Sequence, residues 1–361
     1  MKSASAVLWP VAVYMIVFLL HLVVPARAVG GYVRDPATGD PLRYRLNGLR
    51  VLAVVVALWA IACRLGLLGW DDFYLFRWEM AAGACVIGLV FTFAIVLPFA
   101  PVPGSNLFAD LYLGRLPNPQ WRKGLVDAKM YLYLAGAVML ELNLLSFTAY
   151  HWIQHPADPS PGVFLHAAMF SFFVVEYLNF EEVHLYTYDF FAERVGFKLG
   201  WGCLVFYPFF YPVGLWTIAD RPNPHTPVLA LCAIALVFFT GWMFARGANM
   251  QKFYFKARPG KKLLGFVPQE SVGDGEQKLL CSGFWGLSRH VNYLGEILMA
   301  TGLALALGYP GVVGPWLYPI YYLVLLVPRQ IQDDRRCARK YGALWAEYCR
   351  RVPWRIIPRL Y

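Results

Sequence analysis

Long apolar runs separated by short polar segments repeat along the whole chain. Nine such runs are recognisable, at residues 7–24, 49–69, 80–100, 130–147, 163–180, 199–218, 227–244, 294–307 and 312–327. Most are close to the roughly 20 residues that a helix needs to cross about 30 Å of hydrocarbon. The pattern predicts an all-α polytopic membrane protein of about nine transmembrane helices.

The composition supports this interpretation. Of the 361 residues, 59% are hydrophobic and 15% are charged, whereas soluble domains contain about 25% charged residues. No segment has the composition of a separate soluble domain, so we expect one integral membrane domain over residues 1–361. Polar and charged residues concentrate after residue 247, where we expect the chemistry to lie.

The net charge of +10 is distributed among short connections between the apolar runs. Basic connections follow the odd-numbered runs and charge-poor ones follow the even-numbered runs, so the positive-inside rule predicts a cytoplasmic C-terminus and an N-terminus outside. This distribution argues against a nucleic-acid partner. The first run exceeds the apolar length of about 7–15 residues in a signal peptide. We therefore expect it to be retained, although residues 26–28 resemble a cleavage site.

No metal site is predicted. The seven cysteines are scattered and include no CxxC pair, which argues against a zinc site and a disulfide framework. Glu181 and His184 form one ExxH motif, but a di-iron carboxylate site needs a second. His151 and His155 form one HxxxH motif, and the seven histidines of the chain are too few and too scattered for a desaturase-type centre.

A first polar group lies at the end of the fifth apolar run. Its members are Glu176, Tyr177, Glu181, Glu182, His184 and Asp189. Ionisable residues placed against membrane helices are costly, which makes them functional candidates. Carboxyl groups beside aromatic surface can have raised pKa values and act as proton donors. The alternative is an interfacial turn whose acids are solvated.

A second polar group precedes the eighth apolar run. It contains Trp285, Arg289, His290, Asn292 and Tyr293. Arg289 is suited to grip a phosphate, and the nearby glycines let the backbone approach a ligand closely. The alternative is a structural role as the polar cap of a helix.

A third polar group follows the last apolar run, between residues 329 and 348. As a helix, this segment places Asp333, Cys337, Lys340 and Tyr341 on one face, along which a cofactor can lie. Alternatively, the same basic helix contacts anionic lipid at the membrane surface.

Four motifs cover the last third of the chain. They are GANMQK at residues 247–252, SGFWGLSRHVNYLGE at 282–296, DxxxCxxKYG at 333–342 and VPWRIIPRLY at 352–361. Together they resemble the membrane sterol reductase family, which contains the delta-14 and delta-7 sterol reductases, the yeast C-24(28) reductase and the C-terminal domain of the lamin B receptor. Weaker similarities extend upstream over nearly the whole chain. The family usually has ten helices, and its first helix has no counterpart here, in agreement with nine runs.

The resemblance implies NADPH-dependent reduction of a carbon–carbon double bond in a sterol, of the delta-14 type. It implies that residues 1–246 form the transmembrane helices and substrate side and that residues 247–361 bind NADPH. The predicted cofactor contacts are Arg289 and, by resemblance, Lys252, Lys256, Leu280, Trp285, Asn292, Tyr293, Arg329, Asp333, Cys337, Ala338, Arg339, Lys340, Tyr341 and Tyr348. Lysine and arginine would neutralise phosphates, and the aromatic rings would stack on the cofactor. No GxGxxG follows a strand, so the site is not of the Rossmann type.

The implied chemistry needs a proton donor, because an isolated alkene has no carbonyl group to accept a hydride. Protonation creates a carbocation that the hydride then quenches. An acid in an apolar pocket keeps its proton at neutral pH, and aromatic faces stabilise a passing cation. The donor candidates are Tyr177 and Glu182, followed by Asp333 and Tyr293.

The chain departs from the family pattern mainly on the substrate side. Gln120 ends a PNPQ segment where the family has LNPR, and Cys203 stands where the family has an aspartate. Pro328 and Gln332 replace the histidine and the second arginine of the family's HRxxRD. These differences leave open which double bond is reduced and whether the substrate is a sterol or a related polycyclic lipid, which would enter from the bilayer.

The alternative function is an S-adenosylmethionine-dependent membrane methyltransferase of the isoprenylcysteine carboxyl methyltransferase type. The segments RHVNYLG and KYGALWAEY echo its RHPxYxG turn and YxxY pattern. However, Val291 replaces its proline, and Asp333 and Asp334 replace its paired glutamates. For the reductase, the expected location is the inner membrane of a bacterium or the endoplasmic reticulum of a eukaryote, with the cofactor site facing the cytoplasm.

Overall fold

The computed structural model describes residues 5–258, 260–275 and 277–361. The chain divides into two compact units, Met1–Asn223 and Pro224–Tyr361. Each of the nine apolar runs contains a helix, and the described chain is mainly helical. The expected helical class is therefore confirmed in this coarse sense. The boundary between the two units lies at 223/224, before the expected division at 246/247. The assignment of the substrate side to residues 1–246 and of cofactor binding to residues 247–361 stays a prediction.

The first unit contains twelve α-helices in its described part. They are α1 (Trp9–Val23), α2 (Gly48–Arg64), α3 (Asp72–Leu75), α4 (Arg77–Val96), α5 (Leu107–Leu113), α6 (Ala128–Gln154), α7 (Pro161–Asn179), α8 (Glu181–His184), α9 (Tyr188–Phe191), α10 (Phe197–Trp201), α11 (Tyr207–Phe210) and α12 (Val213–Ile218). A π-helical segment, Gly202–Phe206, joins α10 to α11. Two antiparallel hairpins pair β1 (Arg27–Arg34) with β2 (Pro41–Leu46) and β3 (Gln120–Trp121) with β4 (Val126–Asp127).

The second unit contains three long helices and a small hairpin. Its elements are α13 (Val228–Ala257), β5 (Ser271–Val272), β6 (Leu279–Leu280), α14 (Phe284–Leu287), α15 (Val291–Ala306), α16 (Val313–Tyr341) and α17 (Ala343–Arg351). A short 3₁₀ turn occupies Leu263–Gly265.

Five segments of the described chain are long and apolar enough to cross a bilayer. They are α4, α6, α7, the broken helix Phe197–Ile218 and α13. Two shorter apolar helices, α1 and α15, accompany them. The membrane character is thus supported, whereas the number of nine spans and the orientation of the termini stay predictions.

Helix α6 forms the centre of the first unit. Asp127 caps its N-terminus by accepting a hydrogen bond from the Met130 amide at 2.9 Å. Its side chains are buried on all sides along most of its length, because α1, α3, α7 and α11 pack around it. A helix that is apolar all round is expected in such a central position. Two polar residues, Glu141 and Asn143, are nevertheless buried near its midpoint.

The segment after α1, expected to be a basic loop, is a β-hairpin. Arg27 pairs with Leu46 and Val29 pairs with Tyr44. The Tyr44 side chain is buried against Phe190 of α9 in a cluster of apolar side chains. The difference arises because Arg43 and Arg45 dominate the sequence of β2 but lie on only one face of the strand. Arg43 is exposed and Arg45 is half-buried, whereas Tyr44 and Leu46 on the other face are buried.

Small residues let α13 and α15 cross closely in the second unit. A Cβ atom added to Gly295 would lie 2.4 Å from the Ala245 amide nitrogen and 2.5 Å from the Gly241 carbonyl oxygen. Close approach of helix backbones through small residues is the usual way in which helices pack in membranes. Helix α16 packs against α15, so the three long helices form one assembly.

Two basic segments that looked like connections are parts of long helices. Helix α13 continues from the seventh apolar run to Ala257, so Lys252 and Lys256 lie on a helix and not in the expected loop. Helix α16 continues from the ninth apolar run through Pro328 to Tyr341. The segment from residue 329 is therefore helical, as the face pattern predicted. Gly342, with a φ of 53°, separates α16 from α17.

Candidate functional site

Two adjacent carboxylates on α16 have different environments. Asp334 accepts hydrogen bonds from Gln330 Nε2 at 2.7 Å and from a terminal nitrogen of Arg289 at 3.3 Å, and it lies 3.5 Å from Nε of Arg355. Burial acts to raise the pKa of Asp334, but the neighbouring His290 imidazole and the Arg289 charge lower it overall. Asp334 therefore joins α16 to the segments before α15 and after α17.

Arg289 also joins the segment before α15 to the segment after α17. Its side chain is 7% exposed and donates to the carbonyl oxygens of Val352 and Pro353, both at 3.0 Å. Its backbone amide donates to the Trp354 carbonyl oxygen at 2.9 Å. The guanidinium that the sequence suggested for gripping a phosphate is therefore directed at the C-terminal segment and Asp334.

Asp333 faces a different group of residues. It accepts a hydrogen bond from the Tyr293 hydroxyl at 3.0 Å. The His290 ring stacks on the Tyr293 ring with the centroids 4.8 Å apart. Lys252 of α13 lies within electrostatic range of Asp333, Arg329 and Cys337. Residues from α13, α15 and α16 that are far apart in sequence are thus brought together around Asp333.

Cations and aromatic rings extend this group along α13. The Lys252 ammonium lies 5.7 Å from the centroid of the Trp285 ring, and Trp285 Nε1 donates to the Ala248 carbonyl oxygen at 2.8 Å. Lys256, one helical turn further on, is within electrostatic range of Lys252 and Lys340. We call the set formed by Lys252, Lys256, Trp285, Tyr293, Arg329, Asp333, Cys337 and Lys340 the Asp333 cluster.

Gln251 holds the segment next to this cluster in place, and it is not among the residues predicted from the sequence. Its side chain is fully buried, with Nε2 donating to the carbonyl oxygens of Pro268 and Ser282 at 2.7 and 3.0 Å. Its Oε1 accepts from the Phe284 amide at 3.0 Å. These three bonds tie the segment that leads to Trp285 onto α13. The signal in the sequence is the polar Gln251 inside the GANMQK motif.

The remaining predicted cofactor contacts lie in other surroundings. Tyr348 belongs to an apolar cluster in which α17 packs on the β5–β6 hairpin, and burial raises the pKa of its hydroxyl. Leu280 is buried on β6, where it pairs with Ser271 of β5. Ala338 and Arg339 line an open groove on α16 with Gln332 and Arg335. The period of 3.6 residues places this groove on the helix face opposite Asp333. Tyr341 ends α16, where the Lys340 ammonium lies 4.8 Å from its ring centroid.

In the first unit, the two candidate donors differ in exposure. Glu182 forms a 2.6 Å ion pair with Arg27, with side chains that are 24% and 62% exposed respectively. Tyr177 of α7 stacks on the His184 ring with the centroids 3.9 Å apart. His184 Nε2 lies 3.1 Å from the Tyr177 carbonyl oxygen. Glu182 is therefore ion-paired near the surface, whereas Tyr177 lies among aromatic rings.

Glu181, which is not among the predicted donors, is the more buried of the two adjacent glutamates. It is 7% exposed, and its Oε2 accepts a hydrogen bond from the Gly48 amide at 3.0 Å. Burial raises the pKa of Glu181 to about 7. Nothing in the sequence distinguishes Glu181 from Glu182, because the difference arises from the packing of α8 against the start of α2.

The histidine motifs have structural partners in the first unit. His151 Nδ1 lies 3.0 Å from the Ala219 carbonyl oxygen, and its Nε2 accepts from the Ser160 amide at 2.9 Å. His155 Nε2 lies 3.2 Å from the Asp220 carbonyl oxygen. Over the residues that the structure describes, no group of three or more histidine, cysteine or acidic side chains is arranged to hold a metal ion.

Comparison with known proteins identifies the family. The model of the family described as "Ergosterol biosynthesis ERG4/ERG24 family" matches residues 2–361. A delta(14)-sterol reductase of Arabidopsis thaliana is 33% identical over 97% of this chain and 96% of its own length. The delta(14)-sterol reductase of Methylotuvimicrobium alcaliphilum is 31% identical over 90% of this chain and 76% of its own length.

A mouse relative, delta(14)-sterol reductase TM7SF2, is 33% identical over 93% of this chain and 81% of its own length. These findings do not favour the methyltransferase interpretation. The similarity spans both compact units and includes a bacterial relative as well as plant and animal ones. The chain is a member of the ergosterol biosynthesis ERG4/ERG24 family of membrane sterol reductases.

Proposed function

We propose that this protein reduces the delta-14 double bond of a sterol with NADPH. The substrate and bond are taken from the names of the relatives described above. The observation that carries the cofactor proposal is the Asp333 cluster, in which α13, α15 and α16 place lysines, an arginine and aromatic rings together. We also propose that this cluster faces the cytoplasm, in keeping with the basic charge of its helix ends.

The residues of the cluster fit a phosphorylated dinucleotide. Lys256 lies within electrostatic range of both Lys252 and Lys340, and the side chains of Lys256 and Lys340 are exposed. Cations grouped in this way suit phosphates. The buried Oδ1 atom of Asn292 has no hydrogen-bond partner in the part of the chain that is described, so it is available to accept from a polar ligand. When bound, NADPH supplies the hydride.

We propose that NADPH contacts Lys252, Lys256, Trp285, Asn292, Tyr293, Arg329, Asp333, Cys337, Lys340 and Tyr341. Tyr293 would be oriented by its hydrogen bond to Asp333. Tyr348, Ala338 and Arg339 stay predictions, because they lie in the α17 apolar cluster or on the opposite face of α16. Leu280, which is buried on the β5–β6 hairpin, also stays a prediction. Arg289 would act indirectly, since its hydrogen bonds hold Asp334 and the C-terminal segment.

We propose Tyr177 as the residue that protonates the alkene. A carbon–carbon double bond without an activating carbonyl group takes a proton before it takes a hydride, and the proton must come from a group held in an apolar environment. Tyr177 is surrounded by the rings of Tyr133, Phe173 and His184, which suit a passing positive charge. Glu182 is less suited, because it is paired with Arg27.

NADPH binding to purified protein in detergent tests this proposal. We expect Lys252→Ala to weaken NADPH binding by about 10-fold or more, because a charge-assisted contact contributes about 1.5–3 kcal/mol. The matched control is Lys198→Ala, which removes a cation that pairs with Glu193 in the first unit and is 44% exposed. The proposal fails if the wild type does not bind NADPH, or if both variants bind it equally well.

A further inference from the structure

A small cavity lies where α7 ends and α8 begins. Its volume is about 10 Å³, roughly enough for one water molecule. The polar side chains that line it are Tyr133, Tyr177, Glu181 and His184. The remaining lining residues, Met130, Leu134, Leu178 and Phe190, are apolar. The cavity therefore connects a buried carboxyl group with the proposed proton donor through space that suits a single water.

Glu181 is held in place by a backbone amide. Its carboxylate accepts from the Gly48 amide, and a Cβ on Gly48 would lie 2.5 Å from Glu181 Oε1. The glycine thus permits the close approach of the carboxyl group to the start of α2. The titratable and charged groups around Glu181 are Arg27 on β1, Tyr133 on α6, Tyr177 on α7, and Glu182 and His184 on α8.

Solvent lies close to this buried carboxyl group. Glu182, the next residue, is ion-paired with Arg27, whose side chain is 62% exposed. Arg27 also acts electrostatically on Glu181, in the direction that lowers its pKa, but burial has the larger effect and holds the pKa at about 7. A group of this kind can exchange protons with water at neutral pH.

We propose that Glu181 supplies Tyr177 with the proton that each reduction consumes, and that His184 orients the Tyr177 ring. The inference rests on the proposed function, because it assigns the resupply of the same donor. The geometric grounds are the shared cavity, the stacking of His184 on Tyr177 and the closeness of Glu181 to solvent. Glu181 does not contact the substrate in this proposal. It acts through Tyr177, to which it returns the proton.

The proton and the hydride reach the alkene from different sources. The Tyr177 O–H bond breaks as a C–H bond forms at one alkene carbon, and the neighbouring carbon takes the hydride supplied by bound NADPH. The Tyr177 phenolate then takes a proton from the Glu181 carboxyl group through one water molecule, for which the cavity has room. The Glu181 carboxylate takes a proton from solvent. Each turnover therefore consumes one proton from water and one hydride.

The test is the pH dependence of turnover in Glu181→Gln, a variant that keeps the shape and the acceptor for Gly48 but cannot deliver a proton. We expect wild-type kcat to fall as pH rises through about 7, because Glu181 then loses the proton that it supplies. Glu181→Gln should reduce kcat by about 100-fold, leave KM unchanged and remove the decline near pH 7. Glu181→Asp should restore part of the rate.

The matched control is Glu193→Gln, which removes a carboxylate that pairs with Lys198 at 2.6 Å in the same unit. It should keep the wild-type pH profile. If Glu181→Gln does not fold, as judged by thermal unfolding in detergent, Glu181→Asp carries the test through its altered pH profile. The inference is overturned if the wild type reduces sterol and these Glu181 variants keep its rate and pH profile. A wild type without reductase activity would instead overturn the proposed function.

Discussion

Individual buried carboxyl groups in this protein have very different partners. Asp334 has three side-chain neighbours that donate or carry positive charge, and it joins separate segments of the second unit. Glu141, at the midpoint of α6, accepts one hydrogen bond from Ser171 at 2.7 Å. Its Oε2 atom is buried and has no hydrogen-bond partner among the described residues. A polar atom left in this state costs about 1–3 kcal/mol.

We therefore expect Glu141→Leu to leave stability unchanged or to raise it by about 1 kcal/mol, since leucine removes the unsatisfied oxygen at similar volume. Ser171 can turn its hydroxyl to a carbonyl oxygen of its own helix. The measurement is the midpoint of thermal unfolding in detergent.

The comparison variant is Asn143→Leu, two residues along the same helix. Asn143 donates to the Pro208 carbonyl oxygen at 2.8 Å, so its loss leaves that oxygen unpaired and should lower the midpoint. A clear loss of stability in Glu141→Leu would show that the carboxyl group has a stabilising partner.

At the scale of elements, the second unit depends on how closely α13 and α15 approach. Gly295 lies against the backbone of Gly241 and Ala245, with no room for a Cβ atom. The same two helices carry Lys252 and Tyr293 of the Asp333 cluster. Their separation therefore sets the spacing of the residues that we propose to hold NADPH.

Gly295→Ala should force the two helices apart and destabilise the protein by about 1–3 kcal/mol. It should also weaken NADPH binding, because the cluster residues on α13 and α15 would separate. Thermal unfolding and NADPH titration measure the two effects. Gly311→Ala is the control, as a Cβ there meets no atom within 4 Å, and it should resemble the wild type. Equal behaviour of the two variants would contradict this account of the packing.

The sequence predicts the long elements better than the connections. Apolar runs locate the helices because a helix that crosses a bilayer needs about 20 mainly apolar residues, and a buried helix needs a shorter apolar run. The β1–β2 hairpin and the continuation of α13 and α16 into charged C-terminal ends are not predicted from the sequence, because their charged residues resemble those of loops. The sequence does not predict that Glu181 is more buried than Glu182. The contact with Gly48 joins residues 133 positions apart.

At the scale of the whole molecule, two compact units carry different parts of the proposed chemistry. The first contains Tyr177 and Glu181, which handle the proton, and the second contains the Asp333 cluster, which we propose to bind NADPH. The family similarity extends over both units. The central claim is therefore that one added hydrogen comes from water through the first unit and the other from NADPH.

Isotope labelling of the product tests this claim most directly. Purified wild-type protein would be incubated with a delta-8,14 sterol diene and NADPH, and the sterol analysed by mass spectrometry. We expect the reduced sterol to gain one deuterium when the solvent is D₂O, and one when NADPH carries deuterium at its transferable position in ordinary water. No reduced sterol, or a product that takes both hydrogens from water, would contradict the account.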